Sequence, residues 1–167
     1  MASSVGKSSP FVTLERVGRL IDSLRRLLPG LWAGGLLCLA LIATPALFAL
    51  LDKAQAVLVA ARLLQTEAFV SLALGVALLV LERLRAREAA AQGRASQFST
   101  GMVLALGTLF CTVLGYFVMQ PVMALARSGG SSFSPMQAHV VSVVSYAIKT
   151  VLVLWMSIRA LGAEARP

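Results

Sequence analysis

The run LWAGGLLCLALIATPALFALL, residues 31–51, carries no charged side chain at any of its 21 positions. At about 1.5 Å per residue, a helix of that length spans about 31 Å. That matches the roughly 30 Å hydrocarbon core of a bilayer. A soluble domain would have to bury such a helix on every side, and this chain has too little polar material to do so. Of its 167 residues 58% are hydrophobic and 13% charged, against roughly 45–50% and about 25% in soluble domains. Lipid is the solvent this composition fits.

Three more runs repeat the pattern, at about residues 62–81, 101–122 and 139–158. The second opens polar (ARLLQTEAF) and closes apolar (VSLALGVALLVL). The third ends at Gln120-Pro121. The connector ERLRAREAAAQGRASQFST reads as a helical extension and then a turn, and ARSGGSSFSP reads as a loop. The expected fold is therefore all-α: an integral membrane bundle of four transmembrane helices, forming one domain over residues 30–160, with a short tail at 161–167. Within the first span, Pro45 is expected to kink the helix or loosen one turn. Trp32, at the start of that span, is expected at the membrane interface.

Residues 1–29 differ. After a small polar start, Phe11, Leu14, Val17, Ile21, Leu24 and Leu28 recur every three or four positions, with Arg16, Arg19, Asp22, Arg25 and Arg26 between them. This spacing predicts an amphipathic interfacial helix, ended by Pro29-Gly30, with Arg16, Arg19, Arg25 and Arg26 toward anionic lipid headgroups. A basic helix that docks a partner protein is the alternative.

A net charge of +8 raises nucleic acid as a partner. The charges lie in short blocks between apolar runs, which is the placement of membrane flanks, so no nucleic acid is expected. With four spans, the side holding both termini and the middle connector carries Lys7, Arg16, Arg19, Arg25, Arg26, Arg83, Arg85, Arg87, Arg94, Arg159 and Arg166. The other side has Lys53, Arg62 and Arg127. Basic flanks stay inside, so both termini are expected in the cytoplasm. A cleaved signal peptide fits poorly, because the apolar run is too long and begins too late.

Few polar groups remain inside the spans. Lys149 falls near the bilayer centre, where an ammonium costs about 2.5–3.5 kcal/mol on insertion scales. It needs a partner, and Glu67 lies at a depth its side chain can reach. Such a pair either fastens two helices together or relays a proton or solute. Arg62, Gln120, His139 and Ser142 fall at similar outer depths, and with Glu67 and Lys149 they suggest a polar cluster in the outer half of the bundle. One histidine is a weak metal site. Cys38 and Cys111 lack CxxC spacing and read as packing residues. No nucleophile–base set, P-loop or dinucleotide fingerprint occurs, so neither an enzyme nor a cofactor is expected. Small residues four apart (Gly30 and Gly34; Ser71 and Gly75; Gly107, Cys111 and Gly115) allow close helix approach, inside the bundle or between copies.

Trp32, Gly34, Pro45, Leu47 and Phe48, followed by Ala54, Ala60, Glu67 and Phe69, resemble the motif of the transmembrane protein 205-like family, also called domain of unknown function 4149. His139 and Ser142 match the opening of that family's last span. The resemblance covers about residues 31–158 and implies a bacterial inner-membrane protein whose biochemical activity is unassigned. Animal relatives are linked to tolerance of platinum drugs, which implies a soft metal or small solute. Two functions are therefore expected: helix association, as a homo-oligomer or within a membrane complex; or transport or handling of a small solute at the outer polar cluster.

Overall fold

The computed structural model describes residues 10–93, 99–130 and 132–162. The readings of the polar start, of Lys7, Arg94 and Arg166, and of the tail beyond Gly162 lie outside these residues. So do the side chains of Phe11, Leu14 and Val17.

The described residues are helical almost throughout. Helix α1 (Pro10–Cys38) passes through a π-helical stretch (Leu39–Ala43) into α2 (Thr44–Leu50). Helix α3 (Lys53–Ala91) returns. Helix α4 (Thr100–Thr112) passes through a second π-helical stretch (Val113–Val118) into α5 (Met119–Arg127), and α6 (Pro135–Gly162) returns again. Four continuous helical rods are thus long and apolar enough to cross a membrane: Gly18–Leu50, Lys53–Ala91, Thr100–Arg127 and Pro135–Gly162. This is the architecture of a multi-pass membrane protein. The starts of α1 and α4 and the ends of α3 and α6 gather at one end of the bundle, called here the basic end.

Three expected boundaries move. The stop at Pro29-Gly30 does not occur, because α1 runs unbroken through a buried Pro29. Second, α3 begins at Lys53, well before residue 62. The third rod continues past Pro121 to Arg127. Helix α3 starts where the Asp52 carboxylate caps it, and one physical reason covers the two prolines. Where water is absent, a broken turn leaves carbonyls and amides without partners, so a helix near lipid absorbs a proline rather than ending at it.

Both π-helical stretches lie just before a proline. Pro45 has no N–H, and its ring crowds the carbonyl four residues earlier, that of Leu41. The chain widens there: the Thr44 amide bonds the Leu39 carbonyl, five residues back. The Thr44 hydroxyl donates to that carbonyl as well, at 2.8 Å. Before Pro121, the Met119 amide likewise reaches back five residues, to Leu114. Proline-driven widening of this kind is a recognised cause of helix irregularity.

Turns are closed by side chains and glycine. The Asp52 carboxylate caps α3 by accepting from the Gln55 amide at 3.0 Å. Ser99 caps α4, accepting from the Met102 amide at 3.2 Å. Past α5, Gly129 takes a positive φ of 79°, which L side chains avoid. The Gly130 amide then closes on the Leu125 carbonyl at 2.9 Å.

Helix α6 packs against α1, α4 and α5, and α3 packs against α4 and α1. The centre joins Trp32, Ala33 and Leu36 of α1, Leu78 of α3, Ala105 of α4, and Val153 and Met156 of α6. Many of the other buried positions are small: Ala56, Ala68, Ala86, Ala138, Ser71 and Ser145. Large apolar side chains instead face outward, with Leu41 at 69% and Phe110 at 66% exposure. Small residues inside and large ones outside suit helices that meet by close packing in lipid.

Trp32 requires a further correction. It is 5% exposed, and its indole N–H donates to the Ser71 hydroxyl at 3.0 Å. The continuous α1 carries it away from any helix end and into the core, so it is a packing residue with a buried polar contact rather than an interface anchor.

Candidate functional site

Lys149 lies at the middle of α6 and is 3% exposed. An ammonium has three N–H donors and no acceptor. One N–H meets the Glu67 carboxylate, Nζ to Oε1 at 2.7 Å. The Ser71 hydroxyl is 3.4 Å from Nζ. The third neighbour is the Tyr146 ring, with Nζ 4.7 Å from its centroid. That is cation–π range. Tyr146 is itself held by a hydrogen bond from its hydroxyl to the Leu36 carbonyl, at 2.9 Å.

Helix periodicity assembles the other half of the site. Glu67 and Ser71 are one turn apart on α3, and the Ser71 hydroxyl donates to Glu67 Oε1. Ser71 also accepts from Trp32. The chain Trp32–Ser71–Glu67–Lys149 therefore links α1, α3 and α6. Lys149 and Tyr146 are three residues apart, so they share a face of α6.

Two cavities meet this ion pair. A chamber of about 40 Å³, toward the end away from the basic end, is lined by Glu67, Thr112, Gln120, Ser142, Tyr146 and Lys149, among others. A site holding one water needs about 10–15 Å³ on that measure, so the chamber has room for a few. On the other side, an apolar groove of about 440 Å³ runs between α1 and α3. Trp32, Gly35, Leu63, Val70 and Leu74 line it, with Glu67 and Ser71 among its walls. Glu67 thus borders both spaces.

The second π-helical stretch shapes the chamber. Gly115 lies within it and offers its carbonyl to the Ser142 hydroxyl at 2.6 Å. A Cβ on Gly115 would stand 2.8 Å from Ser145 Cβ, so glycine is what allows α6 to approach here. Phe117 stacks edge-on to Phe69 with centroids 5.4 Å apart, tying this segment to α3.

Of the six residues expected to cluster, Glu67, Gln120, Ser142 and Lys149 surround the chamber. The other two do not join them. Arg62 is exposed and donates to Gln65 Oε1 at 2.6 Å on its own helix. His139 is exposed in the first turns of α6. At helical spacing Arg62 points about 140° away from Glu67, and His139 is not part of the chamber wall. Ser71, Tyr146 and Thr112 were missed. Ser71 is one turn from Glu67, and Tyr146 is one turn from Lys149. That spacing was the available signal. Among the described residues, no three His, Cys, Asp or Glu side chains converge on a point that would hold a metal. Cys38 is exposed and Cys111 buried, and they are not bonded to each other.

The glycine pairs divide in two. Gly75 and Gly107 meet Leu109 and Leu152 where a Cβ would go, so they serve packing within the bundle. Gly30, Gly34 and Gly35 have nothing within 4 Å of that position.

No curated protein and no solved structure matches the chain significantly. A family model does match, over residues 27–132. That segment includes Trp32, Glu67, Ser71 and Gln120, and it stops before α6, the source of Ser142, Tyr146 and Lys149. The chain belongs to the family described as Domain of unknown function (DUF4149).

Proposed function

We propose that this protein binds or relays protons, or a solute no larger than a few waters, at the Glu67–Lys149 pair, without enzymatic chemistry. The observation that carries this is the position of Glu67 between a water-sized chamber and an apolar groove on the flank of the bundle. A pair serving only as a fastener is best sealed on all sides, because water weakens it. Here Glu67 borders two spaces, and both hydrogen bonds made to its carboxylate end on Oε1. Oε2 is then the oxygen to which a proton or a bound donor would attach. Intramembrane ionisable groups commonly mark such pathways. The setting we favour is a bacterial inner membrane with both termini cytoplasmic, from the basic bias of the flanks and the likeness to transmembrane protein 205-like proteins. In that setting the chamber lies toward the periplasm. The basic start of α1 lies against anionic headgroups.

Proteoliposomes loaded with a pH-sensitive dye and driven by a potassium diffusion potential test the relay. Wild-type protein should acidify the lumen faster than protein-free liposomes do. The Glu67→Gln, Lys149→Met double variant should match the protein-free rate. A wild-type rate equal to that of empty liposomes rejects the relay.

A second reading has its own observation. Gly30, Gly34 and Gly35 lie exposed on α1 with open space beside them, a face suited to close helix association. The protein would then act as a homo-oligomer or as part of a membrane complex. Gly34→Leu should abolish cross-linking between copies under this reading. Unchanged cross-linking would count against it.

A further inference from the structure

We infer that the basic end of the bundle holds a binding site for a phosphate-bearing anion, best supplied by the headgroup of an anionic phospholipid. The site is a cavity of about 300 Å³, at the lower end of the size of small-ligand pockets. It is separate from the Glu67–Lys149 pair and does not depend on what that pair does.

Three arginines from three different helices line it: Arg25 of α1, Arg85 of α3 and Arg159 of α6. Among the described residues, Glu82 is the one acid on its wall. That carboxylate is already engaged at both oxygens. Arg25 Nη1 donates to Oε1 at 2.9 Å, and the Ser99 hydroxyl donates to Oε2 at 3.2 Å. A Cβ on Gly101 would run into Glu82, so a glycine leaves room for this arrangement. One carboxylate neutralises one guanidinium, so the cavity keeps a positive excess. Converging like charges at the edge of a low-dielectric bundle repel one another, and an anion relieves that cost.

Arg25 adds a second sign of incomplete pairing. Its Nε–H is buried and has no hydrogen-bond partner among the described residues. Buried polar atoms of that kind are uncommon and call for an explanation. An arginine bonded through one Nη still has donors for an acceptor, and guanidinium forks suit phosphate oxygens.

The rest of the wall selects among anions. Pro29, Leu78, Leu104 and Met156 supply apolar surface beside the arginines. A free phosphate has no use for that surface. A phospholipid does, because its glycerol and first methylenes follow the phosphate inward. Basic pockets between transmembrane helices bind anionic headgroups by this combination.

The test uses full-length protein in a nonionic detergent, with binding read from the shift in unfolding temperature during titration. Three probes are compared: dihexanoylphosphatidylglycerol, dihexanoylphosphatidylcholine and inorganic phosphate. Phosphatidylglycerol should stabilise the protein, and phosphatidylcholine should not. Arg85 and Arg159 are exposed, so the Arg85→Gln, Arg159→Gln variant should fold normally and bind phosphatidylglycerol at least about tenfold more weakly. Either single substitution, which disturbs the bundle less, should show part of the loss. The control variant Lys53→Gln, Arg127→Gln removes the same charge at the opposite end of the bundle, where both side chains are exposed, and should keep its affinity. Stabilisation by inorganic phosphate as strong as that by the lipid would support the phosphate site with a soluble source. Equal weakening in the control would reduce the effect to diffuse surface charge and overturn the proposal. Undiminished binding in the Arg85, Arg159 variant would overturn it as well.

Discussion

Lys149 shows how a buried charge is made tolerable. Its ammonium has a carboxylate, a hydroxyl and an aromatic face around it, which together replace much of its lost hydration. Removing one member of such a pair strands the other and typically costs about 3–5 kcal/mol. Lys149→Ala should therefore destabilise the protein by about that much, and Glu67→Gln should also destabilise it. The Lys149→Met, Glu67→Gln double variant should recover much of the loss, as read from unfolding in micelles. Strict additivity of the two single changes would mean the pair contributes no coupling energy. The depth argument from helical rise was enough to bring Glu67 within reach of the Lys149 side chain. Ser71, Tyr146 and Trp32 were harder to read. A serine, a tyrosine and a tryptophan in apolar runs carry no insertion penalty that demands a partner. Depth alone also says nothing about rotation about the helix axis, which is why His139 and Arg62 were grouped with residues they do not face.

The helices themselves were legible from run length, because only a helix satisfies its own backbone over twenty apolar residues. Their ends were not. Proline and glycine mark ends reliably in water, whereas α1 carries Pro29 within it and the third rod carries Pro121. Pro45 was expected to loosen a turn, and the π-helical stretch before it is that loosening. A π-helical stretch acts as an added residue within a helix, and each α-helical residue turns the axis by about 100°. The stretch before Pro121 therefore sets which way Gln120 faces relative to Cys111. Deleting one residue in that stretch should close it to α-helix and turn Gln120 away from the chamber. Gly115→Ala tests the contact directly. It should lower the unfolding temperature, with overpacking costing about 1–3 kcal/mol. Gly34→Ala, with open space at its Cβ position, should leave stability unchanged or slightly raised. Equal losses at the two glycines would show that the approach of α6 to the second π-helical stretch is not the constraint.

At the scale of the whole molecule, the first prediction is topological. Reporter fusions at Lys53 and Arg127 should read as periplasmic, and one after Gln92 as cytoplasmic. A periplasmic signal after Gln92 would invert the arrangement. The second concerns temperature. Around a central cluster that includes Trp32, Leu36, Leu78 and Val153, this bundle packs many small residues inside and turns most of its leucine, valine and phenylalanine outward. Helices that separate within a bilayer exchange contacts with each other for contacts with acyl chains, and little apolar surface ever meets water. The hydration that gives soluble proteins their large heat-capacity change on unfolding is then nearly absent. Stability against helix separation should fall almost linearly with temperature, with no optimum near ambient conditions and no cold-induced dissociation.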